Sequence, residues 1–174
     1  EQLLKNADLA MYRAKGLGRD RTQFYTATMG ARLLEHMNLE GRLRRALTTG
    51  ELFLEYQPIV NLATSRVHTR EALLRWHDPT RGTALPGDFI SVAENSSLIS
   101  EIGRHVLALA CAATTRRDAS ESVSINLSGR EFHDPALLDT VDRALRESGL
   151  APSRLEIEIT ETVAMKDLAR ADAV

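Results

Sequence analysis

Ser122-Val123-Ser124-Ile125-Asn126-Leu127-Ser128, then a helical pattern over 135–148 closed by Gly149, then Leu155-Glu156-Ile157-Glu158-Ile159-Thr160: this stretch decides the fold. In the first segment Val123, Ile125 and Leu127 alternate with Ser124, Asn126 and Ser128, and in the last Leu155, Ile157 and Ile159 alternate with Glu156, Glu158 and Thr160. That is the period-two pattern of strands with one apolar and one polar face. Two such strands about thirty residues apart, with a helix between them, have the length of a parallel βαβ unit. The fold class read here is α/β.

Upstream, Leu52, Leu54 and Tyr56 alternate with Phe53, Glu55 and Gln57, and Pro58 is expected to end the run at an edge or bend. A second strand is expected over 67–77, placing Glu71, Leu73 and Arg75 opposite Ala72, Leu74 and Trp76. The turn-rich Asp78-Pro79-Thr80-Arg81-Gly82 follows, then Pro86-Gly87-Asp88, with Asp88 expected to cap a helical stretch over 89–116 interrupted near Asn95-Ser96-Ser97. Leu98, Ile102, Val106 and Leu109 form its core stripe, and Cys111 reads as core as well. A further helix is expected to start over 167–174. Near the beginning, Leu3, Ala7, Ala10, Met11 and Ala14 recur at helical spacing until Lys15-Gly16 and Gly18, and Lys15, Arg19 and Arg21 read as a solvated helix end. Thr22-Gln23-Phe24-Tyr25 is expected to be a short strand. A connecting helix over about 31–48 places Leu39, Leu43, Ala46 and Leu47 on one face, and the domain boundary falls between Tyr25 and Leu33.

Composition narrows the function. The 174 residues carry 22 Lys+Arg against 24 Asp+Glu, a formal net charge of −2, which disfavours a protein built to neutralise a nucleic-acid polymer. No apolar run approaches the ~20 residues of a membrane span. The single cysteine excludes an internal disulfide and a cysteine-cluster metal site, and the five histidines lack the spacing of a zinc-hydrolase helix.

The polar strand faces carry the chemistry. Singly, each of these residues reads as solvent-facing, because half-exposed strands alternate for structural reasons alone. In a barrel of parallel strands, however, polar side chains near the C-terminal strand ends gather at one mouth. Glu71, Asn126 and Glu158 would then converge as three oxygen donors, a hard set suited to Mg²⁺, Mn²⁺ or Ca²⁺. Arg75 beside them matches a phosphate bidentately, so metal plus guanidinium suggests a phosphoryl substrate.

Five motifs in order, Tyr56-Gln57-Pro58-Ile59-Val60, Glu71-Ala72-Leu73-Leu74-Arg75-Trp76, Phe89-Ile90 with Ala93-Glu94, Ser124-Ile125-Asn126-Leu127-Ser128 and Glu158-Ile159-Thr160-Glu161, resemble the N-terminal part of an EAL domain, the bacterial cyclic di-GMP phosphodiesterase family. Ala7-Asp8-Leu9-Ala10-Met11-Tyr12-Arg13-Ala14-Lys15 with Gly18-Arg19-Asp20-Arg21 resembles the last helix and exit turn of a GGDEF (diguanylate cyclase) domain. The resemblance implies residues 1–25 as the end of a GGDEF domain, 26–48 as linker and connecting helix, and 49–174 as a truncated EAL domain. The implied fold is the N-terminal half of a modified TIM (β/α)8 barrel, preceded by a helix and short strand.

It further implies Mg²⁺ or Mn²⁺ held by Glu71, Asn126 and Glu158, a catalytic role for Glu71, and Glu161 as a carboxylate steadying an active-site loop. Arg75 and Gln57 would contact the substrate, cyclic di-GMP, which the intact parent would hydrolyse to linear pGpG. The family's Asp-Asp motif, its Lys and its later Glu and Gln match nothing in this sequence, so the chain by itself is expected to be inactive. A cytoplasmic location and a homodimeric parent are also implied, with any membrane attachment outside this chain. The alternative readings are a non-catalytic cyclic di-GMP receptor and a dimerising signalling module.

Overall fold

The computed structural model describes residues 22–159 continuously, together with 3, 4, 6, 7, 10, 11, 14 and 20. The basic helix end at Lys15, Arg19 and Arg21, Thr160, Glu161 and the helix expected over 167–174 lie outside the described residues. Two compact units divide at Arg42/Leu43. In the first, residues 3, 4, 6, 7, 10, 11 and 14 are helical, as their spacing predicts. The strand expected at Thr22–Tyr25 is not formed: residues 22–26 are irregular and lead directly into helix α1 (Ala27–Thr49). Four strand-like residues are too few to hold a strand without a partner.

The second unit is a five-stranded sheet with helices. β1 (Leu52–Asn61), β2 (Arg66–Asp78), β4 (Ser122–Asn126) and β5 (Leu155–Glu158) lie side by side in that order, and the short β3 (Gly82–Ala84), unannounced by the sequence, also pairs with β2. β2, β4 and β5 are parallel, as βαβ units require. β1 is not: it runs antiparallel to β2 as a hairpin, because only four residues connect them and a parallel return needs a long crossover. Nor does Pro58 end β1. It sits in register with Arg70 inside the strand, which a proline can do on an edge strand, where its missing N–H faces away from the neighbour.

The helical stretch breaks where Asn95-Ser96-Ser97 suggests, giving α2 (Ile90–Glu94) and α3 (Leu98–Thr115). Asp88 is not the cap of α2. It closes a 3-10 turn (Pro86–Asp88), its Oδ2 accepting the Leu85 N–H at 3.0 Å, and Phe89 takes the cap position. The face of α3 that docks on the sheet buries Leu98, Ile102 and Val106 with Leu107, Ala110 and Cys111; Leu109 is only half-buried. Trp76 and Phe89 meet edge to face, with centroids 5.7 Å apart, and close the core between β2 and α2.

β4 ends at Asn126, two residues earlier than the alternation predicts, because Ser128 turns the chain into α4 (Gly129–Phe132) as its N-cap. The next helix, α5 (Leu137–Ser148), ends on Gly149 at φ 71°, a left-handed cap that glycine adopts without steric cost.

Candidate functional site

The register fixes which side chains share the polar face. Gln57 stands opposite Glu71, and Glu55 opposite Leu73. Across the parallel pairs Glu71 aligns with Ser124, Ser124 with Glu156, and Asn126 with Glu158. The same face therefore carries Glu55 and Gln57 from β1, Thr69, Glu71 and Arg75 from β2, Ser122, Ser124 and Asn126 from β4, and Glu156 and Glu158 from β5. The opposite face, with Ala72, Leu74, Trp76, Val123 and Ile125 buried, supports the helices. Strand pleating alone separates the two sets.

Asn126 Nδ2 donates to Glu71 Oε1 at 2.7 Å, joining β2 to β4 at the polar face. Glu158 is the register partner of Asn126, and the Leu127 N–H donates to the Glu158 carbonyl at 2.8 Å. Glu71, Asn126 and Glu158 thus occupy one face, with Asn126 and Glu158 at the C-terminal strand ends. Lower on that face Thr69 Oγ1 donates to Glu156 Oε1 at 3.0 Å, and the enclosed Ser124 hydroxyl makes no hydrogen bond among the described residues. Among those residues no three His, Cys, Asp or Glu side chains converge on one point. The donor set here is two carboxylates and a carboxamide. An all-oxygen set fits a hard divalent ion and not zinc.

Arg75 shares the face with Glu71, but its bonds run elsewhere: Nε donates to Glu55 Oε2 at 2.7 Å and Nη1 to the Leu74 carbonyl at 2.9 Å. The pairing with Glu55 was missed in the sequence because it requires the hairpin register, although the alternation of Phe53, Glu55 and Gln57 already puts Glu55 on the side of Gln57. Glu131 was missed too. It is buried, and burial raises its carboxyl above the ordinary range, against the hydrogen bonds from Ser128. Beside these strand ends a cavity of about 510 Å³ is walled by Ile99, Ile102, Val106 and Leu107 and reaches Asn126 and Glu158.

Residues 40–174 match the EAL domain family. The chain belongs to the EAL family. An uncharacterised signalling protein of Caulobacter vibrioides is 43% identical over 171 residues, covering 98% of this chain and 21% of that protein. Cyclic di-GMP phosphodiesterase NbdA of Pseudomonas aeruginosa is 37% identical over 177 residues, covering 97% of this chain and 22% of that protein. A solved structure described as the PaMucR phosphodiesterase in complex with c-di-GMP is similar at a TM-score of 0.72 and 39% identity, covering 78% of this chain and 56% of that one. The EAL chain described here spans about a fifth of the length of the curated relatives it matches. Among its described residues no helix is long and apolar enough to cross a membrane.

Proposed function

We propose that this EAL domain serves a longer bacterial signalling protein as a metal-dependent phosphodiesterase that opens cyclic di-GMP to linear pGpG. The observation that carries the reading is the Asn126–Glu71 contact, with Glu158 beside it on the same polar face. Glu71, Asn126 and Glu158 would hold Mg²⁺ or Mn²⁺, and Glu71 would act directly at the reaction centre. An ion of this class, when bound, acidifies water and offsets charge on phosphoryl oxygens. Arg75 supplies a planar donor fork for a phosphate of the substrate, and Glu55 holds its Nε in the meantime. Gln57, opposite Glu71, faces the same ligand. By the family resemblance, Glu161 would be a carboxylate that steadies an active-site loop.

The reading includes residues 1–25 as the end of a GGDEF domain, 26–48 as a connector and 49–174 as the first half of a TIM-like barrel. The longer protein would be a cytoplasmic homodimer. The test is pGpG production by that protein in Mn²⁺ or Mg²⁺. Turnover should stop on chelation and return with either ion. Turnover that survives chelation overturns the metal assignment, and absence of turnover with both ions overturns the phosphodiesterase reading.

A further inference from the structure

The chain leaving β4 is pinned on both sides. Before the turn, Asn126 donates to Glu71, and the Leu127 N–H donates to the Glu158 carbonyl at 2.8 Å. After it, the Glu131 side chain reaches back to Ser128: Oε2 accepts the Ser128 N–H at 3.0 Å and the Ser128 hydroxyl, while the Glu131 N–H donates to Ser128 Oγ at 3.3 Å. This is a reciprocal capping box, but on a helix of only four residues that contributes little stability of its own. A carboxylate is costly to bury for so small a helix, yet Glu131 is 8% exposed.

Its other oxygen explains the placement. A Cβ at Gly103 of α3 would overlap Glu131 Oε1 and stand 3.0 Å from its Cδ. The carboxylate occupies the space that a side chain at position 103 would fill, so α3, which is docked on the sheet, acts as a backstop. Leu127 and Phe132, on either side of Ser128, are buried in one apolar cluster with Leu137, so the turn cannot relax outward without exposing them.

We propose that Glu131 is a positioning residue: wedged against Gly103, it holds Ser128 and thereby fixes the peptide that sets Asn126 and Glu158 beside Glu71. The inference rests on the reading of Glu71, Asn126 and Glu158 as a donor set. A glycine inside α3 is otherwise unfavourable relative to alanine, so Gly103 keeps space for the carboxylate at a cost to its own helix.

The test is paramagnetic broadening by Mn²⁺ in the ¹⁵N-labelled 174-residue chain, read at the Asn126 side-chain amide as the Mn²⁺ concentration giving half-maximal effect. Glu71→Ala should raise that concentration at least fivefold. Glu131→Ala and Gly103→Ala should each do the same, the second although it improves the propensity of α3. Glu131→Gln, which keeps the acceptor oxygen, should stay within twofold. Gly149→Ala, which weakens the end of α5 far from this turn, should also stay within twofold, separating positioning from lost stability. If Glu71→Ala raises the concentration while Glu131→Ala and Gly103→Ala leave it within twofold, the inference fails and the donor set stands. If Asn126 is not selectively broadened, or Glu71→Ala changes nothing, the donor set fails and takes the inference with it.

Discussion

Glu71 and Arg75 sit four residues apart on β2 and face the same way, yet their partners differ. Glu71 is tied to Asn126 on the parallel side of the sheet, and Arg75 to Glu55 on the hairpin side. Their substitutions should therefore separate. In the longer protein, Glu71→Ala should cut turnover by roughly 100-fold or more at saturating substrate if, as proposed, Glu71 is a charged donor to a metal ion. Arg75→Ala should mainly raise KM if, as proposed, Arg75 contacts a substrate phosphate already in the bound ground state. Steady-state kinetics of both variants checks this, and near-normal kcat in Glu71→Ala would remove its role. In the core, Trp76→Ala should destabilise the fold by about 3–5 kcal/mol in urea titrations, because the indole is 1% exposed and meets Phe89 edge to face.

At the scale of elements, the link between β2 and the loop before β4 is ionic. Arg70 Nε donates to Glu121 Oε2 at 2.7 Å and Nη2 to Oε1 at 3.2 Å, a bidentate pair. The Arg70 hydrogen bond holds the Glu121 carboxyl below its ordinary range. The folded state thus binds a proton on Glu121 less readily than the unfolded state does. The pair's contribution is full above the unfolded carboxyl pKa and is lost as pH falls through the lower folded value. A double-mutant cycle of Arg70→Ala and Glu121→Ala should give a favourable coupling at pH 7 that weakens as pH falls below the ordinary carboxyl range. A coupling unchanged by acid would show that packing, not charge, joins the two. At the end of α5, Gly149→Ala forces a side chain to φ 71° and should cost about 1 kcal/mol, measured as a shift in urea midpoint.

For the whole molecule, the prediction is that the 174-residue chain does not hydrolyse cyclic di-GMP in Mn²⁺ or Mg²⁺. It contains the three oxygen donors named above, but nothing in it matches the Asp pair and lysine that the family resemblance calls for. Formation of pGpG by the purified chain, at a rate comparable to an intact EAL domain, would show that other residues perform the chemistry. The sheet makes a related point. β1 and β5 are its outer strands among the described residues, and an edge strand presents a row of backbone groups open to pairing.

Much of this was legible in the sequence because it depends on local periodicity. Alternation located β2, β4 and β5 and sorted Glu71, Asn126 and Glu158 onto the polar side, and Gly149 and Asn95-Ser96-Ser97 marked helix ends through backbone preferences that neighbours do not alter. What the sequence could not supply is pairing, which is non-local. The four-residue connection allowed a hairpin, but only the register put Gln57 opposite Glu71 and brought Glu55 within reach of Arg75. Thr22–Tyr25 shows the converse, a strand-like run that stays irregular. Glu131 and Gly103 were invisible for the same reason: their pairing is non-local. Only the docking of α3 against the turn after β4 makes the missing Cβ of one the place of the other's carboxylate.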